Sequence, residues 1–72
     1  MEKKILCETL EKLEIGSRLK LKWDRGNGSL EETVRFEGFK KDYPLLYFNG
    51  GALLDIDKIG GYGSIISIGR MN

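Results

Sequence analysis

Residues 18–40 read RLKLKWDRGNGSLEETVRFEGFK, and this stretch decides the fold class. Its first six residues alternate strictly between cationic and apolar side chains, which is typical of a strand with one buried face. The predicted inward-facing residues of this strand are Leu19, Leu21 and Trp23. Asn27-Gly28 follows, and this pair favours a tight hairpin turn because both central residues of a type I′ turn need a positive φ.

A turn centred on this dipeptide also predicts the register of the hairpin. Leu21 then faces Val34 and Leu19 faces Phe36, so the apolar residues of the two strands meet on one face. The second strand is expected over residues 31–40. The hairpin therefore supplies one apolar face that something else in the chain must cover.

The remaining elements are predicted from changes of period and from turn residues. An apolar stripe at i, i+4 and i+7 predicts an N-terminal helix over residues 2–14, and it consists of Leu6, Leu10 and Leu13. Three further short strands are separated by Gly-rich and Asn-containing segments, and they cover residues 45–48, 52–57 and 64–68.

One helix followed by five strands predicts a mainly β protein. Gly38 lies inside the second strand, where a bulge or sharp bend is expected. A bent strand can serve both sheets of a small barrel, and closure would remove the sheet edges that invite aggregation. The chain is short enough to be a single domain over residues 1–72, with the barrel over residues 16–70.

Residues 15–68 resemble the small SH3-like and Sm-like β-barrels. The resemblance lies in the entry IGSRLKL, the hairpin, the glycine in the second strand and the closing segment SIISI. It implies a five-stranded SH3-like or Sm-like barrel. The N-terminal helix is similar to the one with which Sm-like proteins begin.

Composition narrows the compartment and the partners. The 72 residues include 12 Lys and Arg and 11 Asp and Glu, a net charge of +1, whereas a dedicated nucleic-acid domain is usually more basic. A single cysteine cannot form the internal disulfide on which small secreted domains depend. No signal peptide or membrane-spanning stretch is recognisable. We expect a cytoplasmic protein without a membrane partner.

The sequence contains no recognisable catalytic or metal site. Histidine is absent, and Cys7 lies near the apolar stripe of the helix, where a small core residue is expected. Asp55 and Asp57 begin like a calcium loop, but Ile59 and Ile66 stand where oxygen ligands are needed. We expect no enzymatic activity, no cofactor and no small-molecule substrate.

The outward face of the first strand is cationic. Arg18, Lys20 and Lys22 alternate along it, and the predicted register places Arg35 opposite Lys20. Like charges directly opposite each other are unfavourable in a sheet, which suggests a use such as phosphate contact. A mixed-charge solvated face, with Glu37 opposite Arg18, is the other interpretation. These four cations are the candidate residues for binding RNA or DNA.

The predicted hairpin of residues 45–57 is apolar on both faces, which is unusual for an antiparallel sheet with one side in water. One face carries Leu45, Tyr47, Leu54 and Ile56, and the other carries Leu46, Phe48 and Leu53. Either the N-terminal helix or a second chain must cover the latter three. The leading hypothesis is therefore a non-enzymatic protein-interaction or self-assembling, oligomeric module. Nucleic-acid binding is the alternative.

Overall fold

One helix and four antiparallel strands make up the fold, in a computed structural model that describes residues 1–71. The elements are α1 (Lys3–Glu11), β1 (Arg18–Asp24), β2 (Ser29–Lys40), β3 (Tyr43–Phe48), a 3-10 turn (Tyr62–Ser64) and β4 (Ile65–Arg70). The sheet has the order β3-β2-β1-β4. Within residues 1–71, no helix has the length and apolarity that crossing a bilayer requires.

The predicted strand over residues 52–57 does not form, so the prediction of a five-stranded barrel, closed or nearly closed, is wrong. Only one isolated bridge, between Tyr47 and Leu53, remains of it. The Asp55 carboxylate accepts a hydrogen bond from the Asp57 amide at 3.1 Å, and the Asp55 carbonyl accepts one from the Lys58 amide at 3.0 Å. These bonds hold a turn that ends the extended conformation. The sheet therefore stays open.

The register of the β1–β2 hairpin differs by two residues from the predicted one. Leu19 faces Val34 and Leu21 faces Glu32. The Asp24 carboxylate accepts a hydrogen bond from the Gly26 amide at 2.8 Å, so the loop begins earlier and contains four residues. A shift by an even number keeps every side chain on its predicted face.

Gly38 lies at the bulge that the sequence predicts. Its φ is +91°, and the β2–β3 pairing shifts register between Phe36 and Phe39. A positive φ is readily available only to glycine, so this residue allows β2 to bend and continue. Phe36 and Phe39 flank the bulge, and their rings meet edge to face with centroids 5.3 Å apart.

The core lies on one face of the sheet, where α1 packs. Its buried apolar cluster draws on the helix, all four strands and the segment after β3: Leu6, Leu10, Leu19, Leu21, Trp23, Val34, Phe36, Leu46, Leu54, Ile56 and Ile65. The helix ends at Glu11, short of the predicted residue 14. The Glu14 carbonyl instead accepts bonds from the Ser17 amide and hydroxyl, which form the turn into β1.

Candidate functional site

The three residues predicted to form an apolar interaction patch do not share a surface. Leu46 is completely buried, Phe48 is half-buried against the core, and Leu53 is 45% exposed. The bridge between Tyr47 and Leu53 explains the difference, because the prediction placed Tyr47 on one face with Leu54 and put Leu53 on the other. A shift by one residue moves a side chain to the other face of a sheet. Leu53 therefore lies on the outer face with Tyr47.

The four predicted cations do share a surface. Arg18, Lys20, Lys22 and Arg35 all lie on the outer face of the sheet, the face away from α1, and none of them is fully buried. The observed register places Arg18, rather than Lys20, directly opposite Arg35. The structure therefore brings these residues together as the alternation of β1 predicts, with a different pair of like charges directly opposite each other.

Two acidic residues partly neutralise this outer face. Lys20 pairs with Glu31 at 3.6 Å, and the Arg35 guanidinium donates a hydrogen bond to Glu37. Among residues 1–71, neither Arg18 nor Lys22 has a carboxylate within 4.0 Å. These two cations therefore form no ion pair within residues 1–71, although Glu31 lies directly opposite Lys22 in the register.

A small hollow on the outer face is lined mainly by hydrogen-bond donors. Its volume is about 40 Å³. Its lining consists of Arg18, Thr33, Val34, Arg35 and Asn49. Sequence analysis identified the two arginines but missed Thr33 and Asn49, because their approach depends on the shifted register and on the turn after β3.

On the opposite face, an apolar groove of about 130 Å³ lies between α1 and β4. Its lining consists of Thr9, Leu13, Leu19, Ile68, Gly69 and Arg70. Leu19 is fully buried, Leu13 and Ile68 are half-buried, and Arg70 is exposed at the groove. An engineered cavity of about 150 Å³ holds one benzene molecule, so the groove has room for one aliphatic side chain.

The edge of β4 beside this groove is unpaired. The Met71 amide donates to the Arg18 carbonyl at 2.9 Å, and antiparallel pairs alternate between bonded and non-bonded residues. The backbone N–H and C=O groups of Ile68 and Arg70 therefore point away from β1, towards the open edge. No other backbone of residues 1–71 pairs with them. Sequence analysis missed this site because it assigned β4 to a closed barrel.

The edge of β4 is short, and features at both ends limit it. The β1–β4 register shifts between Lys22 and Trp23, which leaves Ile66 as an exposed bulge residue. Arg70 follows at the other end, with its side chain on the inner side of the sheet. Bulges and inward-pointing charges are means by which natural proteins restrict edge-to-edge pairing. The part of the β4 edge between these two features can pair with a short extended segment, but it does not favour the addition of strand after strand.

Cys7 belongs to a small polar cluster at the other end of α1. Lys3 forms an ion pair with Asp42 at 2.9 Å, and this hydrogen bond lowers the pKa of the Asp42 carboxyl and raises that of the Lys3 ammonium. Burial raises the pKa of the Cys7 thiol, and the nearby Lys3 charge only partly opposes this. A raised pKa keeps the thiol protonated, which does not suit a nucleophile. Among residues 1–71, no group of three or more acidic, Cys or His residues could hold a metal ion.

Comparison of the chain with protein-family models, with curated proteins and with solved structures finds no match. The resemblance to SH3-like and Sm-like barrels therefore stays a prediction. The candidate sites stand on the geometry of the chain alone.

Proposed function

We propose that this chain is a non-enzymatic protein-interaction module that binds an extended segment of a partner protein along β4. One observation carries the proposal: the unpaired backbone groups of Ile68 and Arg70 lie directly beside an apolar groove. Backbone pairing at a sheet edge supplies affinity, and pockets for alternate side chains supply specificity. Both elements are present at this edge.

The unpaired backbone groups of β4 and the apolar groove lie where one extended segment could bind to both. The side chains of Ile68 and Arg70 face the inner side of the sheet, so a segment paired with their backbone groups would point its own alternate side chains to that side as well. The groove under Leu13 then receives one of them. Burial of an aliphatic side chain there contributes roughly 1.5–3 kcal/mol.

The charge of the groove indicates the chemistry of the partner segment. Arg70 is exposed, lines the groove and forms no ion pair within residues 1–71. A guanidinium binds a carboxylate through paired hydrogen bonds. The expected partner segment carries one aliphatic residue for the groove and a carboxylate next to it for Arg70.

Thr9→Phe is expected to weaken this binding without unfolding the chain. Thr9 lines the groove but is exposed, and within residues 1–71 its hydroxyl bonds only to the Ile5 carbonyl of its own helix, at 2.8 Å. A phenyl ring there fills the groove while the core stays intact. Peptides selected from a phage-displayed library of random linear sequences serve as the probe. Their affinity is expected to fall roughly tenfold or more, about 1.4 kcal/mol.

Glu8→Phe is the matched control, since Glu8 is an exposed neighbour on the same helix that does not line the groove. It should keep the wild-type affinity, and the amides of Ile68 and Arg70 should become protected from hydrogen exchange on peptide binding. Equal losses in both variants, or selected peptides that leave these amides unprotected, would contradict the proposal. A concentration-dependent dimer lost in Thr9→Phe would instead identify a second copy as the occupant of β4.

Nucleic-acid binding is the second candidate function, and the outer face of the sheet favours it. Register places Arg18, Arg35, Tyr47 and Leu53 in one row across three strands and the adjoining bridge. Cations beside an aromatic ring are the combination with which sheets bind single strands, through phosphate contact and base stacking. Oligonucleotide affinity should then fall as the salt concentration rises. Lys22→Ala should make the slope of log affinity against log salt concentration smaller by about one, the loss of one phosphate contact. An affinity independent of salt would contradict this candidate.

A further inference from the structure

The two arginines at the centre of the outer face form a like-charge pair in which Arg18 has no acidic partner within residues 1–71. Arg18 and Arg35 are direct partners across β1 and β2, and like charges in that position destabilise a sheet. Glu37 bonds the Arg35 guanidinium, but no carboxylate of residues 1–71 lies within 4.0 Å of Arg18. An anion that bridges the two guanidinium groups would remove this repulsion.

The hollow between these residues has the size and the lining for such an anion. Its volume of about 40 Å³ corresponds to about three water-sized spheres, the scale of one small tetrahedral ion. The lining includes Thr33 and Asn49 beside the two arginines. All four side chains can donate hydrogen bonds, and none of them carries a negative charge.

We propose that this hollow is a binding site for a phosphoryl group. The tetrahedral oxygens of a phosphoryl group can accept hydrogen bonds from both guanidinium groups at once, which suits two arginines better than the two oxygens of one carboxylate. Free inorganic phosphate and the phosphodiester of a nucleic acid share this chemistry. The site stands on the residues of the hollow and is independent of the β4 groove.

Arg18→Gln tests the site, with inorganic phosphate as the probe. In wild-type protein, phosphate added at constant ionic strength should shift the Asn49 side-chain amide and the Arg18 Nε–H resonances saturably. It should also raise the melting temperature. In Arg18→Gln the apparent affinity is expected to fall at least tenfold. The variant should remain as stable as wild type without phosphate, because it loses a repulsive contact.

Lys4→Gln is the control, since it removes an exposed cation from α1, on the other side of the sheet. It should leave phosphate binding unchanged. Shifts that do not saturate, or an equal loss in Arg18→Gln and Lys4→Gln, would overturn the proposal in favour of diffuse charge attraction. A second arm with a short oligouridylate identifies the source. Displacement of phosphate by the oligomer supports a phosphodiester ligand, and failure to displace it supports free phosphate.

The phosphate site and the nucleic-acid candidate can fail separately. Oligouridylate that binds with salt dependence but leaves the Asn49 and Arg18 resonances unmoved would overturn the phosphoryl site and keep the nucleic-acid function. Saturable phosphate binding without any oligouridylate binding would support the site and exclude that function.

Discussion

Replacing Gly38 by alanine is expected to lower the free energy of unfolding by about 1–3 kcal/mol, the usual strain of a side chain held in a sparsely populated backbone region. Gly38 has a φ of +91° within the bulge of β2 and is buried. A domain of this size is stable by roughly 4–11 kcal/mol, so the loss is a large part of the total. The melting temperature should fall by about 4–8 °C per kcal/mol.

Backbone conformation, more than crowding, is the reason for this expected loss. A Cβ atom at position 38 would lie 3.3 Å from Cδ1 of Ile15, a close contact. However, Ile15 is 70% exposed, and the end of its side chain can move into solvent. The strain from the positive φ has no such escape, because β-sheet pairs fix β2 on both sides of the bulge. Gly38→Val should be worse still, since its branched Cβ carries more atoms towards Ile15.

Gly26→Ala provides the matched control. Gly26 has the same φ of +91° and lies in the exposed β1–β2 loop. Among residues 1–71, no heavy atom beyond its chain neighbours lies within 4 Å of the place that an added Cβ atom would take. This loop can relax, so the control should destabilise less than Gly38→Ala. Thermal unfolding of both variants, followed by circular dichroism, gives the comparison. Wild-type stability in Gly38→Ala would show that β2 does not need glycine at its bulge.

In β1 the sequence predicts correctly which side chains face the core, but it predicts the pairing of the strands less well. The alternation in β1 assigns Leu19, Leu21 and Trp23 to the core, and all three are buried. The register of the hairpin depended instead on where the turn begins. The Asp24 carboxylate determines that position by bonding the Gly26 amide, a local competition that the Asn-Gly pair obscured.

The same kind of competition explains the missing strand. Residues 52–57 have the apolar content of a strand, but Asp55 bonds the backbone that follows it and forms a turn. Side chains that bond their own backbone offer the chain an alternative to a sheet, and composition does not reveal which alternative is more stable. Without that strand the sheet cannot close by the predicted path, and the edge of β4 remains open.

The two candidate sites differ in how far the sequence predicts them, because one depends on a pattern within single strands and the other on contacts between distant residues. The four outward cations follow from period 2 within single strands, so the sequence identifies them. The groove requires Leu13, two residues after the end of α1, to meet Ile68 and Arg70 on β4, residues far apart in the chain. No local pattern encodes that meeting. The place of Leu13 as the last residue of the apolar stripe was the only indication available in the sequence.

Replacing Leu46 by alanine is expected to remove a large share of the domain's free energy of unfolding. Leu46 is completely buried, opposite Phe36 on β2, and its carbonyl accepts a hydrogen bond from the Leu54 amide at 2.7 Å. Truncation of a buried leucine lowers stability by about 2–5 kcal/mol, through lost burial and the cavity left behind. Against a total of roughly 4–11 kcal/mol, that change removes a large share of the stability and moves the urea unfolding midpoint to a lower concentration.

Leu53→Ala is the matched control, and it separates the structure from the predicted interaction patch. Leu53 is 45% exposed on the outer face, so its truncation should change stability by no more than about 0.5 kcal/mol. Trp23, the single tryptophan and only 9% exposed, reports unfolding in urea through its fluorescence. Similar losses in the two variants would mean that Leu46 and Leu53 share one covered face after all. In that case the bridge between Tyr47 and Leu53 would be misplaced by one residue, and the outer-face row of Arg18, Arg35 and Tyr47 would lose its fourth member.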